Sequence, residues 1–173
     1  MAASTCQGQI GTGASVSWAN AEGGIVWNLA DSATSTTPIA IPTSTGTNFS
    51  WIKNLVIAVT ATGTTTITNR TIKMSTSPTT GLALYWKAVA VASYAQAATG
   101  NRPTASGSNG ATPSGYTAMS TTAAQYDNTS VATSSTGPNG SMVTCVLGVD
   151  STFTGGAGNA VSTPSLILSY DEA

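Results

Sequence analysis

Few side chains in this protein could do acid–base, nucleophilic or metal chemistry. There are six carboxylates (Glu22, Asp31, Asp127, Asp150, Asp171 and Glu172), five cations (Lys53, Arg70, Lys73, Lys87 and Arg102), two cysteines and no histidine. Without histidine, neither a Ser-His-Asp triad nor a Cys-His pair can form. Zinc would have only Cys6 and Cys145, far apart in sequence, with scattered acids. A glycosidase needs two carboxylates facing each other across a cleft. No spacing here suggests such a pair, and the acids read as solvated turn residues. The run Gly155-Gly156-Ala157-Gly158-Asn159 has the composition of a phosphate cradle but lacks the lysine and the helix that the chemistry requires, so it reads as a turn. The expectation is no catalytic residue, no metal and no cofactor.

Binding chemistry has more material. Trp18, Trp27, Trp51 and Trp86, with Tyr85, Tyr94, Tyr116 and Tyr126, could supply a stacking platform for a glycan. Trp27 and Trp86 lie in phase with Ile25/Leu29 and Leu82/Leu84, which is core placement. Trp18 and Trp51 sit at strand margins and suit an interface anchor, since buried contacts favour tryptophan. Thr60–Thr68 could present hydroxyls and methyls as ice-binding surfaces do, but no regular repeat accompanies it. Asn-X-Ser/Thr acceptors such as Asn48-Phe49-Ser50 and Asn69-Arg70-Thr71 are expected by chance in a chain so rich in Ser and Thr.

The elements that must carry these residues read as strands throughout. Period-2 alternation runs through Ile25-Trp27-Leu29, Leu55-Ile57-Val59, Leu82-Leu84-Trp86, Val143-Cys145-Leu147-Val149 and Leu166-Leu168-Tyr170. Pro and Gly punctuate these runs, and no window shows a capped helical period. Ile67 and Ile72 are five apart, so a bulge or corner is expected near Asn69-Arg70. Ala30–Asn48, with Ile39 and Ile41, reads as an edge strand between loops. Short strands are expected around Tyr116–Met119 and Thr129–Thr133. The sum is an all-β, single antiparallel β-sandwich of eight to ten strands, immunoglobulin-like or jelly-roll. Residues 1–14 are expected as an N-terminal arm and 15–173 as the sandwich domain. A long low-core excursion, Gln96–Gly115, is expected to lie on a neighbouring molecule.

Charged residues are only 6% of the chain, against roughly 25% in an ordinary domain. With net charge -1 there is no basic face for nucleic acid. At 40% hydrophobic the chain is not disordered. A domain with so little net charge tends to associate, which favours an assembled protein over a free monomer. The start Met1-Ala2-Ala3-Ser4-Thr5-Cys6-Gln7 lacks the pattern of a secretory signal, and no apolar run is long enough to span a bilayer. Synthesis in the cytoplasm without membrane insertion is the expectation. Cys6 and Cys145 then read as free thiols, Cys145 in the core, in preference to a disulfide joining the N-terminus to a late strand.

Three stretches carry a resemblance: Trp51-Ile52-Lys53-Asn54-Leu55-Val56-Ile57-Ala58-Val59-Thr60, Ile72-Lys73-Met74-Ser75, and Pro78-Thr79-Thr80-Gly81-Leu82-Ala83-Leu84-Tyr85-Trp86-Lys87. With the closing strand Pro164–Tyr170, they resemble the small β-sandwich proteins of tailed-bacteriophage particles, above all capsid decoration (cement) proteins. The resemblance covers about half of the chain and brings no catalytic or binding residue with it. It implies a homo-oligomer such as a trimer, the major capsid protein as partner, and a place on the outer surface of the virion. A phage tail or fibre component is the neighbouring alternative, and a carbohydrate-binding module is the alternative of a different class. The expected protein contacts are Ala2–Ile10 and Gln96–Gly115, with Trp18, Trp51, Arg102 and Tyr116 as interface residues.

Overall fold

The computed structural model describes residues 5–22, 24–32, 34, 37–155 and 164–173. Among these described residues twelve strands follow in chain order: β1 (Thr5–Thr12), β2 (Ser17–Asn20), β3 (Thr47–Phe49), β4 (Lys53–Ala61), β5 (Thr66–Met74), β6 (Leu82–Ala90), β7 (Thr117–Ala118), β8 (Ala124–Asp127), β9 (Val131–Ala132), β10 (Gly137–Pro138), β11 (Ser141–Asp150) and β12 (Leu166–Glu172). They form two antiparallel sheets packed as a β-sandwich. The main sheet runs β2-β1-β4-β11-β6-β7, with β3 on β11 and β10 on β4; the second runs β12-β5-β8, with β9 on β5.

Between the sheets lie Ile10, Leu55, Ile72, Met74, Leu82, Leu84, Trp86, Val143, Cys145, Leu147 and Val149. These are the in-phase positions of the alternating runs, which is why the runs become strands. The opposite phase of β4 and β11 is also apolar, and it too is buried: Val56, Ala58, Met142 and Val146 are fully enclosed. A sheet with both phases apolar needs cover on both faces. The second sheet covers one face. On the other, Trp18, Val91 and Tyr94 pack over Val56, Ala58 and Met142, while Ala97, Trp51 and Tyr116 pack with Phe49, Tyr85 and Val146.

That outer cover includes Gln96–Gly115, the excursion expected to lie on a neighbouring molecule. The excursion lies on its own main sheet. Asn54 Nδ2 donates to the Ala95 carbonyl (2.8 Å) and the Tyr85 hydroxyl to the Gly110 carbonyl (3.0 Å). Gly46 N–H donates to Asn109 Oδ1 (2.8 Å), and Thr47 pairs with Ser106 through its backbone. Exposed polar backbone over an apolar face is thus tied down inside the molecule.

Three further expectations change. Residues 5–12, expected in an arm, are β1, paired with β4 on one side and β2 on the other. Gly11 makes this possible, because a Cβ there would strike the Trp18 and Tyr94 rings. Residues 25–29 are not a strand. Ile25 and Trp27 do pack on the core, but the segment joins no ladder. Ile39 and Ile41 likewise reach the core from irregular chain rather than an edge strand.

The bulge stands where the spacing puts it. The ladder shifts register between Arg70 and Thr71, and again opposite, between Ser169 and Asp171. Asn69, at φ 47°, is the one described non-glycine residue with positive φ.

The cysteines are both free. Cys6 faces Val59 and Cys145 faces Lys53, on strands flanking β4 on opposite sides. Six residues along a strand is about 20 Å, well beyond disulfide reach.

Burial sets an alkaline limit. It raises the Cys145 thiol above its ordinary value, and burial is also the main cause that raises all five tyrosines, Tyr94, Tyr116 and Tyr170 to about 12. Folded values above unfolded ones give stability that is complete below pH 9 and is lost as pH rises. Lys53, held down to about 8, acts in the opposite sense up to pH 10.5, but it is one group against six. The urea midpoint is therefore expected to fall steeply above pH 10; a flat profile to pH 11 would contradict this packing.

Candidate functional site

The outer face of the main sheet carries a groove of about 450 Å³. Its floor is Phe49 of β3 and Lys87 of β6, and its walls are the loop segments 101–106 and 111–114, closed by Tyr116. Lys87 reaches it because it follows Ala83 and Tyr85 in the outward phase of β6. Its ammonium sits 4.8 Å from the centroid of the Tyr116 ring, a cation–π contact. Burial pushes the Tyr116 hydroxyl up to about 12, so it remains a neutral donor.

The electrostatics are one-sided. Of the five cations, Lys53 and Arg70 are buried. That leaves Lys73, Lys87 and Arg102, and two of these three line the groove, where no lining residue is acidic. The backbone ties described above hold the walls, so Arg102 is presented on an ordered loop and Lys87 on a strand. Such a site can receive a carboxylate or another small anion, with Arg102 offering a planar fork of donors.

Of the four interface candidates, the structure brings Arg102 and Tyr116 together in this groove. Trp51 packs against the same apolar cluster as Tyr116. Trp18 lies apart, edge-to-face with Tyr94 at 5.9 Å. Residues 5–10 of the expected N-terminal contact lie in β1, all paired with β4, with Gln9 and Ile10 paired with β2 as well; residues 2–4 lie outside the described residues. The aromatic rings form no common platform among the described residues. Trp86 is buried and Trp27 packs on the core, Trp18 leans on Tyr94, and Lys87 occupies one face of Tyr116.

Sequence reading passed over Phe49 and Lys87 as site residues, and three buried polar groups as well. Lys53 is 2% exposed and Arg70 0%. A signal existed: Lys53 is in phase with Leu55 and Ile57, and Arg70 with Ile72 and Met74. Asp127 is no solvated turn acid but the buried partner of Arg70. Three further acids hold neighbouring polar groups. Asp31 accepts from Gly13 N–H (2.7 Å) and Gln96 Nε2 (2.8 Å), Asp150 from Thr152, and Asp171 from Asn69. No group of three or more His, Cys, Asp or Glu able to hold a metal occurs among the described residues. None of their helices is long and apolar enough to cross a membrane.

No family model, curated protein or solved structure matches this chain.

Proposed function

We propose that this chain is a structural virion protein of the capsid-decoration type. It would attach to the outside of an assembled shell as a homo-oligomer, bridge coat subunits and carry out no catalysis. The supporting observation is the scarcity of charge on its surface. With Lys53, Arg70 and Asp127 buried, eight of the eleven charged side chains remain to serve 8063 Å² of accessible surface. Freely dispersed domains ordinarily carry about 25–35% charged residues on the surface and a net charge well away from zero. A surface of hydroxyls, methyls and backbone suits permanent packing against neighbours, where every buried charge must find a partner. Many modest contacts of this kind add through multivalency once several copies engage one shell.

In this reading the groove supplies a concentrated polar contact, in which Lys87 and Arg102 would meet an acidic segment of the coat subunit. A glycan-binding module is the weaker reading, because sugar stacking needs open ring faces and these rings are packed or capped.

Co-sedimentation with shells stripped of accessory proteins tests the reading. The purified protein is expected to pellet to a fixed stoichiometry. Arg102→Glu, which reverses the groove's charge without touching the core, should bind about tenfold more weakly, equivalent to about 1.4 kcal/mol. A wild-type protein that stays in the supernatant at all concentrations would refute the assignment.

A further inference from the structure

Lys53 and Asn28 meet in the interior, amine against side-chain amide. Both are almost fully enclosed, at 2% and 1% exposure. The Lys53 Nζ lies 2.8 Å from Asn28 Oδ1, 2.9 Å from the Ala30 carbonyl and 2.6 Å from the Ser32 carbonyl. Asn28 Oδ1 also accepts from Ala30 N–H at 3.1 Å, and Asn28 Nδ2 donates to the same Ser32 carbonyl at 3.5 Å. The amine is therefore held against a side-chain amide whose oxygen is already polarised by a backbone donor. The amide's nitrogen converges with the amine on one carbonyl oxygen.

We propose that Lys53 and Asn28 join in an intramolecular isopeptide bond. The Nζ lone pair attacks Cγ of Asn28, and the oxyanion forming at Oδ1 is stabilised by Ala30 N–H in a site with little water. The tetrahedral adduct collapses with cleavage of the Cγ–Nδ2 bond. The proton given up by Nζ ends on the departing nitrogen, so one amide is exchanged for another, ammonia leaves, and nothing is oxidised or reduced. Burial, opposed by the charge of Asp31, lowers the Lys53 amine to about 8, so about one amine in ten is neutral and nucleophilic at pH 7. Exclusion of water keeps the product from hydrolysis. The bond would pin the 28–32 segment, and with it Trp27, to β4 across a sequence separation of 25.

Intact-mass measurement and tryptic mapping of the unfolded full-length chain test this directly. The expected mass is one ammonia, about 17 Da, below the sequence value. Trypsin is expected not to cut after Lys53, leaving residues 1–70 as one fragment whose spectra link positions 28 and 53. Lys53→Arg should restore both the mass and the cut. A full mass with complete cleavage after Lys53 overturns the proposal. So does a 17 Da loss that persists in Lys53→Arg, since that loss would belong to another asparagine or to a succinimide.

Discussion

Asp127→Ala is expected to lower folding stability by about 3–5 kcal/mol, the usual cost of leaving one buried charge without its partner. Arg70 and Asp127 pair at 2.5 Å with side chains 0% and 4% exposed. Arg70 also donates to the Asn139 carbonyl at 2.7 Å, while Asp127 accepts from Thr129 N–H at 2.7 Å and Ser141 N–H at 2.8 Å. This cluster joins the β5 bulge to the end of β8, the turn before β11 and the first residue of β11. Removing the carboxylate strands the guanidinium in the interior and frees two backbone donors. The double change Arg70→Met with Asp127→Leu should cost much less than the two single changes combined, because no lone charge remains. Chemical denaturation of the three variants decides the point, and equal, additive losses would contradict it.

The same pair gives the acid limit. Burial works to raise the Asp127 carboxyl, but hydrogen bonds from Thr129 and Ser141, with the Arg70 charge, overcome it and hold the group below its ordinary value. A lowered folded value gives stability that is present above the unfolded value near 3.8 and is lost as pH falls through the folded one. Acid unfolding of the wild type should therefore set in below about pH 4 and lose part of its slope in Asp127→Asn.

Gly81→Ala should be nearly as damaging, at about 2–5 kcal/mol. Gly81 opens β6 with φ at 81°. A Cβ there would come within 2.5 Å of Phe153 Cα and 2.7 Å of its Cβ. The neighbouring backbone cannot yield easily, because Asp150 N–H donates to the Gly81 carbonyl at 2.9 Å and Phe153 N–H to the Asp150 carbonyl at 3.1 Å. Gly115→Ala separates the two causes. Its φ is 77°, yet nothing lies within 4 Å of the added carbon, so it should lose only the backbone term of about 1–2 kcal/mol. Equal losses at the two sites, read from urea midpoints, would show that the close approach of Phe153 is unimportant.

The strands most legible in the sequence are those whose two phases differ or are strongly apolar. β4, β6, β11 and β12 follow from Leu55, Leu84, Val143 and Leu166 with their period-2 neighbours, and the β5 bulge follows from the five-residue step between Ile67 and Ile72. β1 was hidden because Ile10 is its one large core residue; glycines at 8 and 11 supply no pattern, and Gly11 leaves room for the Trp18 and Tyr94 rings instead. Ile25 and Trp27 misled in the opposite way, since apolar alternation records burial and not the presence of a ladder partner. The apolar second phase of β4 and β11, in Val56, Ala58 and Val146, was the available sign that another layer covers the main sheet. That sign would have placed the 96–115 excursion on the molecule itself.

The groove was only half legible. Arg102 and Tyr116 were expected in an interface, but Lys87 and Phe49 become part of it through cross-strand placement that spacing does not express. Lys53, Arg70 and Asp127 show how a chain with so few charges uses them: three of eleven are spent inside, holding loops and a bulge.

Quantitative mass spectrometry across a density gradient of nuclease-treated particles tests the decoration assignment most directly. The account predicts that the chain bands with full particles at a copy number comparable to the major coat protein. A handful of copies per particle would move it to tail, fibre or vertex, and absence from the particle fractions would contradict the virion role altogether.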